Sequence, residues 1–143
     1  MSTIAQQFQH ERSLQGAPRV HAVSRAYTEA AALALAHARA HLQLPAVLPI
    51  SWVSHPGGNS GETWWWADGR VEIYMNAGAD LSPREIARVV LHECRHVADG
   101  PHPGLGHWAA EDRADAFAAF VMDPRETTQD FSRLDGRRPL GRR

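Results

Sequence analysis

Lysine is absent from these 143 residues; all fifteen basic side chains are arginine. Schiff-base catalysis and P-loop phosphate binding both use a lysine amine, so both are excluded. A single cysteine, Cys94, rules out an internal disulfide framework and a cysteine-based zinc finger or ribbon. No apolar run approaches the ~18–20 residues of a membrane-spanning helix. The first residues, MSTIAQQFQHERS, lack a charged-then-apolar signal pattern. Neither sign of charge dominates: sixteen acidic residues leave a net charge of −1. That gives no electrostatic reason to expect nucleic acid or an anionic membrane as partner. A soluble, cytoplasmic protein is the expectation. Hydrophobic residues at 43% and charged residues at 22% are an ordinary globular mix. The length is one domain's worth, enough for a core without staples. Nine histidines are many for this length, and they carry the information.

Along the chain, residues 1–19 read as a flexible lead, 20–124 as one domain and 125–143 as a flexible tail with four arginines in its last seven residues. The alanine-rich stretch 20–44 predicts a helix ended by Pro45, with Leu33, Leu35, Ala36, Ala40 and Leu44 as its apolar stripe. His37 and His41 lie four apart on it without an acid between them, and read as surface or partly buried polar residues. Residues 47–53 predict a short strand. Segments 62–67 and 70–75 flank Asp68-Gly69, a two-residue hairpin signal. In that register Trp64, Trp66, Val71 and Ile73 share the core face, while Trp65, Glu72 and Tyr74 face away. Next comes a helix over 83–99: Ser82 caps it, Pro83 opens it, Glu85 completes a capping box, and Gly100 with Pro101 ends it. A second helix is predicted from His107 to Met122.

The first of these two helices carries His92-Glu93-Cys94-Arg95-His96, an H-E-x-x-H motif. Residues four apart sit ~40° from one another around a helix, so both imidazoles reach one metal. Glu93 projects beside that metal, placed to take a proton from water. With nine histidines, chance gives about 0.03 such motifs in a chain of this length. Zinc at a catalytic site takes a third protein ligand and keeps one position open. Glu111 is one candidate; fourteen residues separate it from His96, enough to finish a helix and turn back. Asp115, one turn later, then serves a ligand histidine's outer nitrogen. His102, six after His96, is the competing candidate. Cys94 lies ~200° from His92 and reads as a reduced filler; Arg95 reads as a salt-bridge or helix-surface residue.

The motif followed by E-x-x-A-D-x-F-A (Glu111, Ala114, Asp115, Phe117, Ala118) resembles the gluzincin zinc peptidases. The ending FAAFVMDP is similar to the ImmA/IrrE type, and the size to single-domain minigluzincins. The resemblance covers residues 70–124. It implies an α+β, zincin-like fold: an N-terminal helix, a small sheet with a hairpin, the motif helix and a glutamate helix. It further implies one Zn²⁺ on His92, His96 and Glu111, Glu93 as general base, and Asp115 behind a ligand histidine. The partner would be a peptide or protein substrate, bound as an added strand along 70–75 with Tyr74 and Asn76 in contact. His107, Tyr74 and Arg113 are the candidates for oxyanion stabilisation. The implied activity is that of a small zinc metallopeptidase; a zincin-like regulatory or metal-sensing module with little hydrolysis is the alternative.

Overall fold

In the computed structural model the described residues are 13–123, 125 and 129–134. The described chain is α+β and divides into two compact units, one built from residues 13–23 and 46–80, the other from 24–45 and the described residues from 81 onward. The second unit is helical and the first holds the sheet.

The sheet has three strands: β1 (Ile50–Val53), β2 (Gly61–Trp65) and β3 (Val71–Asn76). Their order is β1-β3-β2, with β1 parallel and β2 antiparallel to β3. The chain thus crosses to the far edge and returns down the middle. As the central strand β3 is covered on both faces, so its side chains are buried at every position but Glu72. This corrects two expectations. Strand 70–75 is not an edge and has no free side on which a substrate strand could add. Tyr74 does not face outward: it is 3% exposed and packs with Leu14 and Val53, beside Trp64.

The hairpin register differs by one residue from the expected one. Trp65 pairs with Val71, Trp64 with Glu72 and Thr63 with Ile73. Trp66 N–H donates to the Arg70 carbonyl at 2.8 Å, so Ala67, Asp68 and Gly69 form a three-residue loop. Gly69 has φ 95°, the left-handed residue that such a loop needs. Asp68 then accepts from the Arg70 backbone N–H at 3.0 Å and pairs with its guanidinium at 2.8 Å. The slip moves Trp64 and Trp66 to the Tyr74 face, their rings 6.2 Å apart, and Trp65 to the Val71 face.

Residues 13–19 of the expected flexible lead are packed. Residues 1–12 lie outside the described residues, but Leu14 is fully buried. Glu62 gathers the hydroxyl of Ser13 and the N–H groups of Leu14 and Gln15 at 3.0, 3.1 and 3.3 Å. Arg19 then bridges to Val53, and Val20 N–H donates to the Trp52 carbonyl at 2.9 Å, along the outer side of β1. The residues are packed because a carboxylate and a strand edge supply partners for their backbone.

In the helical unit, α1 (Arg25–His41), α2 (Pro83–Asp99) and α3 (His107–Met122) are followed by a 3₁₀ turn, Gln129–Leu134. The helix α1 is shorter than the expected 20–44: Ser24 caps it, its hydroxyl accepting from Tyr27 N–H at 3.2 Å. Its buried stripe is Ala30, Ala31, Ala34 and Ala38, with Leu33 and Leu35 half-buried on the flanks and Ala36 and Ala40 exposed. Small side chains at i, i+4 and i+8 let α1 lie close against α2, a benefit that hydrophobicity ranking misses. The middle helix α2 brings the bulk, burying Ile86, Ala87, Val90, Leu91, Cys94 and Val97, while α3 on its other contact buries Ala110, Ala114, Ala118, Val121 and Met122. Both ends of α2 fall where expected. Ser82 and Glu85 form a reciprocal capping box at 3.1 and 2.8 Å, and Gly100 closes the helix at φ 82°. Of the predicted tail, residues 129–134 are ordered into the turn, where Phe131 is 2% exposed with its ring 4.7 Å from His37; residues 124, 126–128 and 135–143 lie outside the described residues. No described helix is long and apolar enough to cross a membrane.

Candidate metal centre

The capped helix α2 presents His92 and His96 one turn apart, with Nε2 atoms 3.1 Å from each other. The following helix returns alongside and brings Glu111 to both. One carboxylate oxygen lies 3.2 Å from His92 Nε2 and the other 2.7 Å from His96 Nε2. Ligand atoms bound at ~2.0–2.1 Å around a tetrahedral zinc stand about 3.3 Å apart. The separations here, 3.1 Å between the rings and 3.2 and 2.7 Å to different Glu111 oxygens, are close enough for the three side chains to share one ion. Among the described residues this trio is the one group of histidine, cysteine and carboxylate side chains that gathers to metal-binding spacing. The two imidazoles are mostly buried and Glu111 is about one-third exposed, leaving the cluster open to solvent on the carboxylate side.

Asp115, one turn beyond Glu111, lies 2.8 Å from His92 Nδ1. An ionised carboxylate only accepts, so Nδ1 donates and carries the proton. In the neutral ring this puts the lone pair on Nε2, which faces the cluster. Glu93 is 7% exposed, with one oxygen 4.0 Å from His92 Nε2. It therefore stands beside His92, beyond hydrogen-bond reach of that ring nitrogen.

Other candidates fall elsewhere. His102 lies in the exposed loop after α2 and is not among the gathered donors. His107 is exposed at the start of α3 with its ring 4.8 Å from Trp108. Arg113 reaches Asp99 at 3.5 Å. Asn76, in the sheet unit, is fully buried and uses its whole amide internally. Its oxygen accepts from His55 and Gly78 N–H at 3.0 and 2.9 Å, and its nitrogen donates to the His55 and Asn59 carbonyls at 2.8 and 3.0 Å. Tyr74 donates its hydroxyl to Glu72 at 3.1 Å. Both side chains are committed to holding the sheet unit together. His41 is exposed, in line with its reading as a surface or partly buried residue, and sits edge-on to Phe117 and Phe120 at 6.1 and 5.7 Å.

Cys94 is fully buried in the helix core. Burial, helped by the charge of Glu93, pushes its thiol up to about 12, so it is neither a nucleophile nor a thiolate ligand at neutral pH. Arg95 forms an i, i+4 pair with Asp99 and lies over the Phe117 ring. The Asp99–Arg113 link across to α3 escaped the sequence reading; the Arg95-Asp99 spacing was its visible half.

Comparison of the chain with family models, with curated proteins and with solved structures gave no match.

Proposed function

We propose that this protein is a small zinc-dependent metallopeptidase of gluzincin type. The observation that carries the reading is the convergence of His92, His96 and Glu111 from two helices, with Asp115 fixing the tautomer of His92. A structural site closes its coordination with four protein ligands, whereas three ligands beside a buried carboxylate are the makings of a hydrolytic one. His92 and His96 would hold the ion through Nε2, and Glu111 through its carboxylate. When bound, zinc polarises a peptide carbonyl and makes water acidic near neutral pH. Glu93 takes the proton of the water that adds to the carbonyl carbon. It returns that proton to the nitrogen as the C–N bond breaks, releasing an amine and a carboxylate. Its burial keeps the carboxylate in a low-dielectric setting beside His92, where proton transfer competes least with bulk water.

The test is metal content followed by turnover. Elemental analysis is expected to give about one zinc per chain, lost in Glu111→Ala and kept in His102→Ala. A peptide-library screen on the zinc-loaded protein is then expected to show cleavage that Glu93→Gln abolishes while retaining the metal. Zinc without cleavage would shift the reading to a metal-sensing module. No zinc after reconstitution would remove the metal reading altogether.

A further inference from the structure

On the flank of α2 next to His96 lies a second charged cluster. Asp99, in the last turn of the helix, has a side chain only 8% exposed. Arg95, one turn earlier, brings its Nε to 3.2 Å from one Asp99 oxygen, and Arg113 crosses from α3 to reach the same oxygen at 3.5 Å. Arg95 is itself 20% exposed, with its guanidinium 5.9 Å from the centre of the Phe117 ring. The geometry is poor for hydrogen bonding. Arg95 Nε is off the bonding direction, and the second Asp99 oxygen is buried with no hydrogen-bond partner. A buried carboxylate held by such contacts returns little of its desolvation cost, so the cluster is a weak source of stability. The best-attested use of buried charge in that position is to fix register between helices.

Register is what the metal centre needs. His92 meets Asp115 and His96 meets Glu111: four residues forward on α2 correspond to four residues back on α3. A slide of either helix by one turn would separate both pairs. We propose that Arg95, Asp99 and Arg113 are positioning residues for the metal centre. They lock α2 against α3 so that His96 and Glu111 stand at coordination distance before an ion arrives. The inference rests on the metal-site reading, and its experiment separates the two.

The test is zinc affinity of the full chain, measured by competition with a chromophoric chelator, alongside the visible spectrum of the cobalt-substituted protein, which reports coordination geometry. Asp99→Asn is expected to weaken zinc binding about 10-fold or more, in the range seen when outer supports of a metal site are removed. Arg113→Met should weaken it several-fold, less because Arg113 is half exposed. The two substitutions change local charge in opposite directions. A field effect alone would make Arg113→Met bind zinc more tightly, whereas loss of positioning weakens binding in both. The double variant should be no worse than Asp99→Asn, and the cobalt spectrum should change in each. Val121→Ala, which opens a cavity in α3 away from the cluster, should lower thermal stability without altering affinity. Unchanged affinity in Asp99→Asn, tighter binding in Arg113→Met, or an equal loss in Val121→Ala would overturn the proposal. Should Asp99→Asn fail to fold, the sign of the Arg113→Met effect decides alone. A wild-type protein that binds no zinc refutes the metal reading and this proposal with it; zinc binding that is indifferent to all three variants refutes only this one.

Discussion

Asp115 offers the sharpest check on the metal reading, because its carboxylate touches the site only through His92 Nδ1 at 2.8 Å. Replacing it by asparagine keeps the shape and one acceptor oxygen but removes the charge that makes His92 a better donor. Replacing it by alanine removes the acceptor too, so the ring is free to rotate and to carry its proton on Nε2, where it blocks coordination. Loss of such a support costs roughly 10–100-fold in metal affinity. Asp115 is 66% exposed, and screening by water places Asp115→Asn at the low end, about 10-fold or ~1.4 kcal/mol. Asp115→Ala should lose more, because the tautomer preference goes as well. A zinc titration against a competing chelator, with circular dichroism to confirm helix content, gives the order wild type, asparagine, alanine in decreasing affinity. Equal affinity in wild type and Asp115→Ala would show that His92 does not bind the ion through Nε2, and the ligand set would fall.

Two further outcomes test the packing. The buried Cys94 thiol is neutral in the folded chain up to about pH 12 but ionises near ~8.5 when unfolded. Its contribution to stability is therefore complete below ~8.5 and falls by roughly 1.4 kcal/mol per pH unit as the pH rises above that value towards 12; alkaline denaturation of wild type against Cys94→Ala measures it, and parallel curves would refute it. Ala34→Leu puts bulk into the alanine stripe of α1, where the native side chain is fully buried. It should cost ~1–3 kcal/mol of unfolding free energy, read in urea, and a neutral result would mean that α1 is not closely seated on α2.

What could be read beforehand was whatever the chain writes locally. The ends of α2 were legible because Ser82, Pro83, Glu85 and Gly100 each act on their own helix terminus. Glu111 and Asp115 were legible because a helix repeats its faces every turn, so E-x-x-x-D states a shared face outright. The hairpin register was not. Asp68-Gly69 serves a two-residue and a three-residue loop alike, and the choice rests on where Gly69 takes its positive φ and on Arg70 closing onto Trp66. A one-residue slip there reverses the face of every tryptophan in β2 and brings Trp64 beside Tyr74. The central place of β3 was equally hidden, since pairing between β1 and β3 joins residues more than twenty apart that no periodicity links. The alanine stripe of α1 was overlooked for a different reason: close approach favours the smallest side chains, and a hydrophobicity ranking favours the largest.

These two kinds of legibility explain why the side chains gathered at the candidate site could be read from the sequence and its substrate contacts could not. All the side chains gathered at it come from α2 and α3, and the two helices run antiparallel through a short loop. Their pairing is then set by two matched steps, His92 to His96 and Asp115 to Glu111. Once the first pair meets, a regular helix delivers the second with no further information, because each advances one turn of ~5.4 Å. Substrate contacts have no such rule. The expectation placed them on Tyr74 and Asn76 by analogy with a strand that proves to be central and fully paired, and both residues spend their polar atoms inside the sheet unit. Under the proposed function, specificity is to be sought in side chains exposed on α2 and α3, the helices that carry His92, His96 and Glu111. Trp108, 76% exposed and one turn before Glu111 on α3, is the largest of these.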